Sequence, residues 1–122
     1  MPDTALVIVD VQNDFCSGGA LAVPDAVVVR KGIHASVDSY SAFFENDRTT
    51  PVGLDAALQA IDAREIVLAG LATDYCVLHT ALDARALGYG VTVIEAGCRG
   101  IDLDGSLAVA WSRMARAGVR RN

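Results

Sequence analysis

Residues 5–9 read Ala-Leu-Val-Ile-Val, with no polar residue between the apolar ones. Similar short runs recur at 27–29 (Val-Val-Val), 66–69 (Ile-Val-Leu-Ala) and 91–94 (Val-Thr-Val-Ile). A strand with one wet face alternates apolar and polar residues. A β-branched run without alternation suits a strand covered on both faces, as in a parallel sheet. Parallel strands cannot be joined by tight hairpins and need crossovers of about a dozen residues or more. The segments between the runs carry the helical period that such crossovers require. Leu54, Leu58 and Ile61 share one face of a helix over 53–63, with Thr50 and Pro51 as start signals. Val77, Leu78, Ala81 and Leu82 recur at helical spacing within 74–87, where Asp74 can cap the start and Gly88 the end. Leu107, Trp111 and Met114 mark a last helix, ended by Gly118. Strands alternating with helices predict an α/β fold with right-handed crossovers.

A chain of 122 residues fits one domain, 1–122. Its 52% hydrophobic and 20% charged residues are a globular composition. The net charge of −5 argues against nucleic acid as a partner, because phosphate binding needs a basic face. The dense basic cluster Arg113, Arg116, Arg120 and Arg121 reads as a solvated helix face and tail. Three widely spaced cysteines, Cys16, Cys76 and Cys98, give no disulfide framework and suit a reducing cytoplasm. The N-terminus runs almost directly into a strand, without the pattern of a signal peptide. No apolar run approaches the roughly 18 residues of a membrane helix. The expectation is therefore a cytoplasmic protein with no nucleic acid or membrane partner.

In α/β sheets, ligands bind beyond the carboxyl ends of the strands. Asp10, Lys31 and the turn from Gly70 to Cys76 all fall at such ends. Cys76 follows a strand and opens a helix, where backbone N–H groups and the helix dipole favour a thiolate and can hold an oxyanion. Taken alone it reads more readily as a small buried apolar residue, the commoner fate of a single cysteine. Asp10 can take a proton from a thiol or cap a turn, and Lys31 can pair with Asp10 or stand exposed at a strand end. His79 lies three residues beyond Cys76, further along the helix and away from its start. His34 can contact substrate from the 32–52 loop. Neither histidine has the spacing of a metal site. Cys16 and Cys98 read as structural. Phe15, Tyr40, Phe43, Phe44 and Tyr75 can stack on a planar ring or pack in the core.

Three blocks in order carry a family resemblance over roughly residues 4–118. Val9-Asp10-Val11-Gln12-Asn13-Asp14-Phe15-Cys16, followed by Gly18-Gly19-Ala20-Leu21-Ala22-Val23, resembles the opening of the nicotinamidases. These belong to the isochorismatase-like cysteine hydrolases. Lys31-Gly32 with Asp38-Ser39-Tyr40-Ser41-Ala42-Phe43-Phe44 resembles their lysine segment. Gly70-Leu71-Ala72-Thr73-Asp74-Tyr75-Cys76-Val77 resembles their nucleophile segment. The resemblance implies a three-layer, Rossmann-like parallel sheet flanked by helices. It implies Cys76 as nucleophile, Asp10 as its base and Lys31 beside both. A cis peptide between Leu71 and Ala72 is implied too, with the N–H groups of Ala72 and Cys76 as oxyanion hole. Phe15, Leu71 and Tyr75 would contact the substrate. The implied reaction turns nicotinamide into nicotinate and ammonia through a cysteine thioester, in NAD salvage. The implied partner is a small-molecule amide, and assembly into a homo-oligomer is compatible with the family.

The chain departs from the family between 26 and 27. Val23-Pro24-Asp25-Ala26 runs straight into Val27-Val28-Val29, where the family carries a strand, a helix and the Asp/His cluster that holds a divalent metal. The chain stops soon after Val119, where the family has a last strand. The sequence therefore predicts an internally shortened sheet, no metal or other cofactor, and weak or lost activity. A metal-independent isochorismatase-like or carbamoyl amidase hydrolase, or an inactive remnant, is the alternative expectation.

Overall fold

The structure, a computed structural model, describes residues 3–9, 41, 43, 44 and 53–122. Strand β1 is Thr4–Val9, helix α1 Leu54–Ala60 and strand β2 Glu65–Leu71. A π-helical turn, Thr73–Val77, leads directly into α2, Leu78–Ala86. Strand β3 is Gly90–Arg99, α3 Ser106–Arg116 and β4 Arg120–Arg121. The apolar runs at 5–9, 66–69 and 91–94 thus lie in β1, β2 and β3. The run at 27–29 is outside the described residues, as are Thr50 and Pro51.

The four strands pair in the order β1-β2-β3-β4, all parallel. Each step along the chain moves the same way across the sheet, so right-handed crossovers put α1, α2 and α3 on one face. The core agrees. Val9, Ile66, Leu68, Val91 and Val93 from the strands join Leu54 and Leu58 of α1, Leu78, Ala81 and Ala84 of α2, and Ala110 and Met114 of α3. These strand residues are two apart, as one face of a pleated strand demands. On the other face, Leu6 and Ile8 are 63% and 55% exposed. In β1, therefore, a run expected to be covered on both faces is covered by the described helices on one.

Helix α2 ends as expected at Gly88, which has φ +99. The Tyr89 N–H donates to Ala84 O at 3.0 Å and the Gly88 N–H to Arg85 O at 3.1 Å, closing the helix through a left-handed residue. Helix α1 is shorter than the apolar period suggests. Asp62 takes φ 56, and the N–H groups of Ile61 and Ala63 both turn back to Leu58 O. Ile61 is left 59% exposed rather than in the core.

The C-terminal arginines do more than coat the surface. Arg120 and Arg121 pair with Thr92 and Val93 as β4, so a last strand follows Val119 after all. Arg120 Nη2 lies 2.7 Å from Glu65 Oε2. Arg121 is ion-paired with Glu95 and stacks 4.1 Å from the Trp111 ring centroid.

Tyr89 ties α1 to the start of β3. Its hydroxyl donates to Asp55 Oδ1 at 2.5 Å, and its ring lies 5.8 Å from that of Phe43. Burial, then the hydrogen bond to Asp55, then repulsion from that carboxylate push the phenol up from 10.0 to about 12. The neutral phenol is thus favoured in the folded chain. Its contribution to stability is full below pH 10.0 and lost as pH rises from there towards about 12. Thermal melts should show the wild-type chain losing stability faster than Tyr89→Phe over that interval. Parallel curves for the two would refute this coupling.

Candidate active site

The nucleophile segment begins where β2 ends. The Leu71–Ala72 peptide is cis, as the resemblance implied. Ala72 is extended, with φ −99 and ψ 147, and its carbonyl accepts the N–H groups of Tyr75 at 3.1 Å and Val77 at 3.0 Å. The chain passes from extended to helical geometry within two residues. This puts Cys76 in the first turn of the helical segment that continues into α2. Thr73, Asp74 and Val77 are buried, while Cys76 is half-buried.

Gly70 brings β1 against this segment. It pairs with Val9 and has φ +130. A Cβ there would stand 2.3 Å from Val9 O and 2.8 Å from Val9 N, so only glycine permits the approach. The carboxyl end of β1 therefore lies beside the start of the nucleophile segment.

Asp74 does not cap its own helix. Its Oδ1 accepts the Ile101 N–H at 2.9 Å, and its Oδ2 accepts the Asp102 N–H at 2.7 Å and the Ser106 hydroxyl at 2.5 Å. Burial works against ionisation here, but the Ser106, Ile101 and Asp102 hydrogen bonds together outweigh it and hold the carboxyl below its ordinary value. Sequence reasoning missed this role because the three partners lie 27, 28 and 32 residues away.

Cys98 is buried at the carboxyl end of β3. Burial pushes its thiol up, against hydrogen bonds from the Gly70 backbone and the Thr73 side chain and the charge of Arg99. A thiol held neutral in this way is a poor nucleophile, in line with its structural reading. A cavity of about 610 Å³ opens nearby, between the end of β3 and α3, with Thr73, Arg99, Trp111 and Arg121 in its walls. Among the described residues, Leu71, Tyr75 and Cys76 do not line it.

Of the residues singled out in the sequence, Leu71, Ala72, Tyr75 and Cys76 come together at the end of β2. Leu71 is 50% exposed and Tyr75 half-buried. Asp10, Phe15 and Lys31 lie outside the described residues, as do Cys16, His34 and Tyr40. Phe43 is a core residue rather than a ring-stacking one. His79 lies within α2. Among the described residues, no group of His, Cys, Asp and Glu side chains has the makings of a metal site. None of the described helices is long and apolar enough to cross a membrane.

A family model described as Isochorismatase domain matches residues 38–120. The nicotinamidase of Acinetobacter baylyi is 45% identical over 103 residues, covering 84% of this chain and 48% of that one. The nicotinamidase of Escherichia coli is 32% identical over 200 aligned positions, which take in 98% of this chain and 94% of the relative. A solved nicotinamidase–pyrazinamidase from Acinetobacter baumanii superposes with a TM-score of 0.78 at 49% identity, covering 83% of this chain and 49% of that one. The chain thus spans about half the length of the two Acinetobacter proteins.

Proposed function

The chain belongs to the isochorismatase-domain family, and from that premise we propose that it hydrolyses nicotinamide to nicotinate and ammonia. The observation that carries the proposal is the place of Cys76. A half-buried thiol stands in the first helical turn beyond a parallel strand, next to the carboxyl end of β1. In the proposed reaction, the Asp10 carboxylate takes the Cys76 proton. The thiolate attacks the amide carbon, and the N–H groups of Ala72 and Cys76 hold the oxyanion that forms. Lys31 offsets the negative charge. The tetrahedral intermediate collapses, its C–N bond breaks, and ammonia leaves with the proton held by Asp10. Water, deprotonated by Asp10, then hydrolyses the thioester and releases nicotinate with the free thiol. Phe15, Leu71 and Tyr75 contact the pyridine ring.

We further propose one domain, shortened internally between 26 and 27. The long alignment with the E. coli relative, which takes in nearly all of both chains, supports this reading. Among the described residues no group of side chains would hold a divalent metal, and the proposed reaction uses the chain's own residues alone. A cytoplasmic location is proposed with the NAD-salvage role.

Ammonia release is the direct test, at enzyme concentrations high enough to detect weak turnover. Nicotinamide should be hydrolysed in preference to N-carbamoyl compounds and to vinyl ethers of the isochorismate type, and the rate should be unchanged by a chelator. Preference for a carbamoyl amide or a vinyl ether would replace the proposal with a different hydrolase of the same family. No turnover of any of these would mark the chain as an inactive remnant.

A further inference from the structure

The nucleophile turn is held by a segment distant in sequence but in direct contact with it. Asp74 lies two residues before Cys76 in the same π-helical turn, and it is buried. Its two carboxylate oxygens collect three donors, two from the segment between β3 and α3 and one from the first residue of α3. Two are the consecutive backbone N–H groups of Ile101 and Asp102, where Asp102 has φ 57. Successive N–H groups converging at such a left-handed residue form a concave anion site, which a carboxylate fills well. The third donor is the Ser106 hydroxyl, whose oxygen also accepts the Leu103 N–H at 2.9 Å. Ser106 is the first residue of α3, and α3 is anchored in the core through Ala110 and Met114. The chain of contacts runs from core to α3, to Ser106 and the 101–103 backbone, to Asp74, and so to the turn that carries Cys76.

We infer that Asp74 is a positioning residue, whose carboxylate pins the Cys76 turn to the 101–106 segment and so fixes where the thiol points. The inference rests on the reading of Cys76 as nucleophile. Tyr75 and Val77 are tied to Ala72 by local backbone bonds. Those bonds set the shape of the turn, but they cannot fix its position relative to the rest of the fold. The Asp74 bonds can, because their partners belong to a different element. Hydrogen bonds to a charged acceptor are stronger and shorter than neutral ones, which suits a clamp.

Asp74→Asn keeps the shape but sets an amide NH₂ against the Asp102 and Ser106 donors. Ser106→Ala removes one donor of the three and is the milder variant, available if Asp74→Asn does not fold. Met114→Ala is the control, a loss of core packing under α3 away from the clamp. Two readouts decide. In amide hydrogen exchange, the clamp variants should speed exchange over 73–78 and 101–106 while the β1–β3 strands keep their protection, whereas Met114→Ala should loosen the core broadly. In turnover of nicotinamide, Asp74→Asn should lower kcat about 10- to 100-fold with KM little changed, the scale expected for misplacing a reacting group by about 1 Å. Ser106→Ala should fall between it and the wild type. Unchanged exchange at 73–78 overturns the inference, whatever the activity. Faster exchange there with kcat equal to wild type also overturns it. Faster local exchange in the clamp variants of a chain whose wild type does not turn over nicotinamide supports the clamp and removes the proposed reaction instead.

Discussion

Replacing Cys76 with alanine is expected to abolish ammonia release from nicotinamide, leaving a chain that still folds. In the proposed reaction the sulfur forms the only covalent bond between enzyme and substrate, so no other side chain can substitute for it. Removing the nucleophile from an enzyme of this type costs about 10⁴- to 10⁶-fold, the remainder coming from oxyanion contacts and binding. Cys98 cannot take over, because it is buried at the end of β3 with its thiol pushed up by that burial. The structural cost should be small. Cys76 is only half-buried, and its turn is held by the Ala72 carbonyl and by Asp74, not by its own side chain alone. Melting temperature and turnover should thus separate: a small change in the first and complete loss of the second. Cys76→Ser should be nearly as inactive, because a hydroxyl is much harder to deprotonate than a thiol. Retained turnover in Cys76→Ala would remove the thioester from the mechanism.

Much of the frame was legible because its signals are local. The runs at 5–9, 66–69 and 91–94 each became a strand, and Leu54 and Leu58, Leu78 and Ala81, and Met114 each faced the core from a helix. Cys76 could be placed because the end of an apolar run and the start of a helical period meet within a few residues. What was not legible depends on partners far along the chain. Asp74 looked like a cap because that is the local use of an aspartate at a helix start, yet its acceptors face Ile101, Asp102 and Ser106. Tyr89 and Asp55 meet across 34 residues with no motif to announce it. Strand β4 carries no apolar signal, since it is two arginines, and it forms through backbone bonds such as Asn122 N–H to Val93 O at 3.0 Å. Leu6 and Ile8 show the converse limit. A run without alternation reads the same whether one face of the strand is covered or both.

Gly70→Ala should produce the largest loss of stability among single-methyl changes at the described glycines of β2 and the helix caps. Two penalties coincide there. The residue has φ +130, a conformation that a side chain adopts only with strain, at a cost of about 1–3 kcal/mol. The added Cβ would also sit 2.3 Å from Val9 O and 2.8 Å from Val9 N. Those are backbone atoms of a paired strand, with no flexible end to swing aside. Relieving the clash means moving β1 away from β2, and overpacking of this kind costs about 1–3 kcal/mol more. The sum, about 2–6 kcal/mol, is a large part of the stability of an ordinary domain. Gly53→Ala separates the two effects. Gly53 has φ +97 but nothing within 4 Å of the position a Cβ would take, so that variant carries the backbone strain alone. Denaturant titrations should therefore rank wild type, Gly53→Ala and Gly70→Ala in falling order, with the second gap at least as large as the first. Equal losses in the two variants would mean that β1 and β2 make room for the methyl at no further cost and would overturn the overpacking argument. The proposed site adds a second consequence. Val9 immediately precedes Asp10 in the chain, so in the proposed reaction a displaced β1 also misplaces the base. Turnover by Gly70→Ala should then fall further than its folded fraction explains, while turnover by Gly53→Ala should track its folded fraction alone.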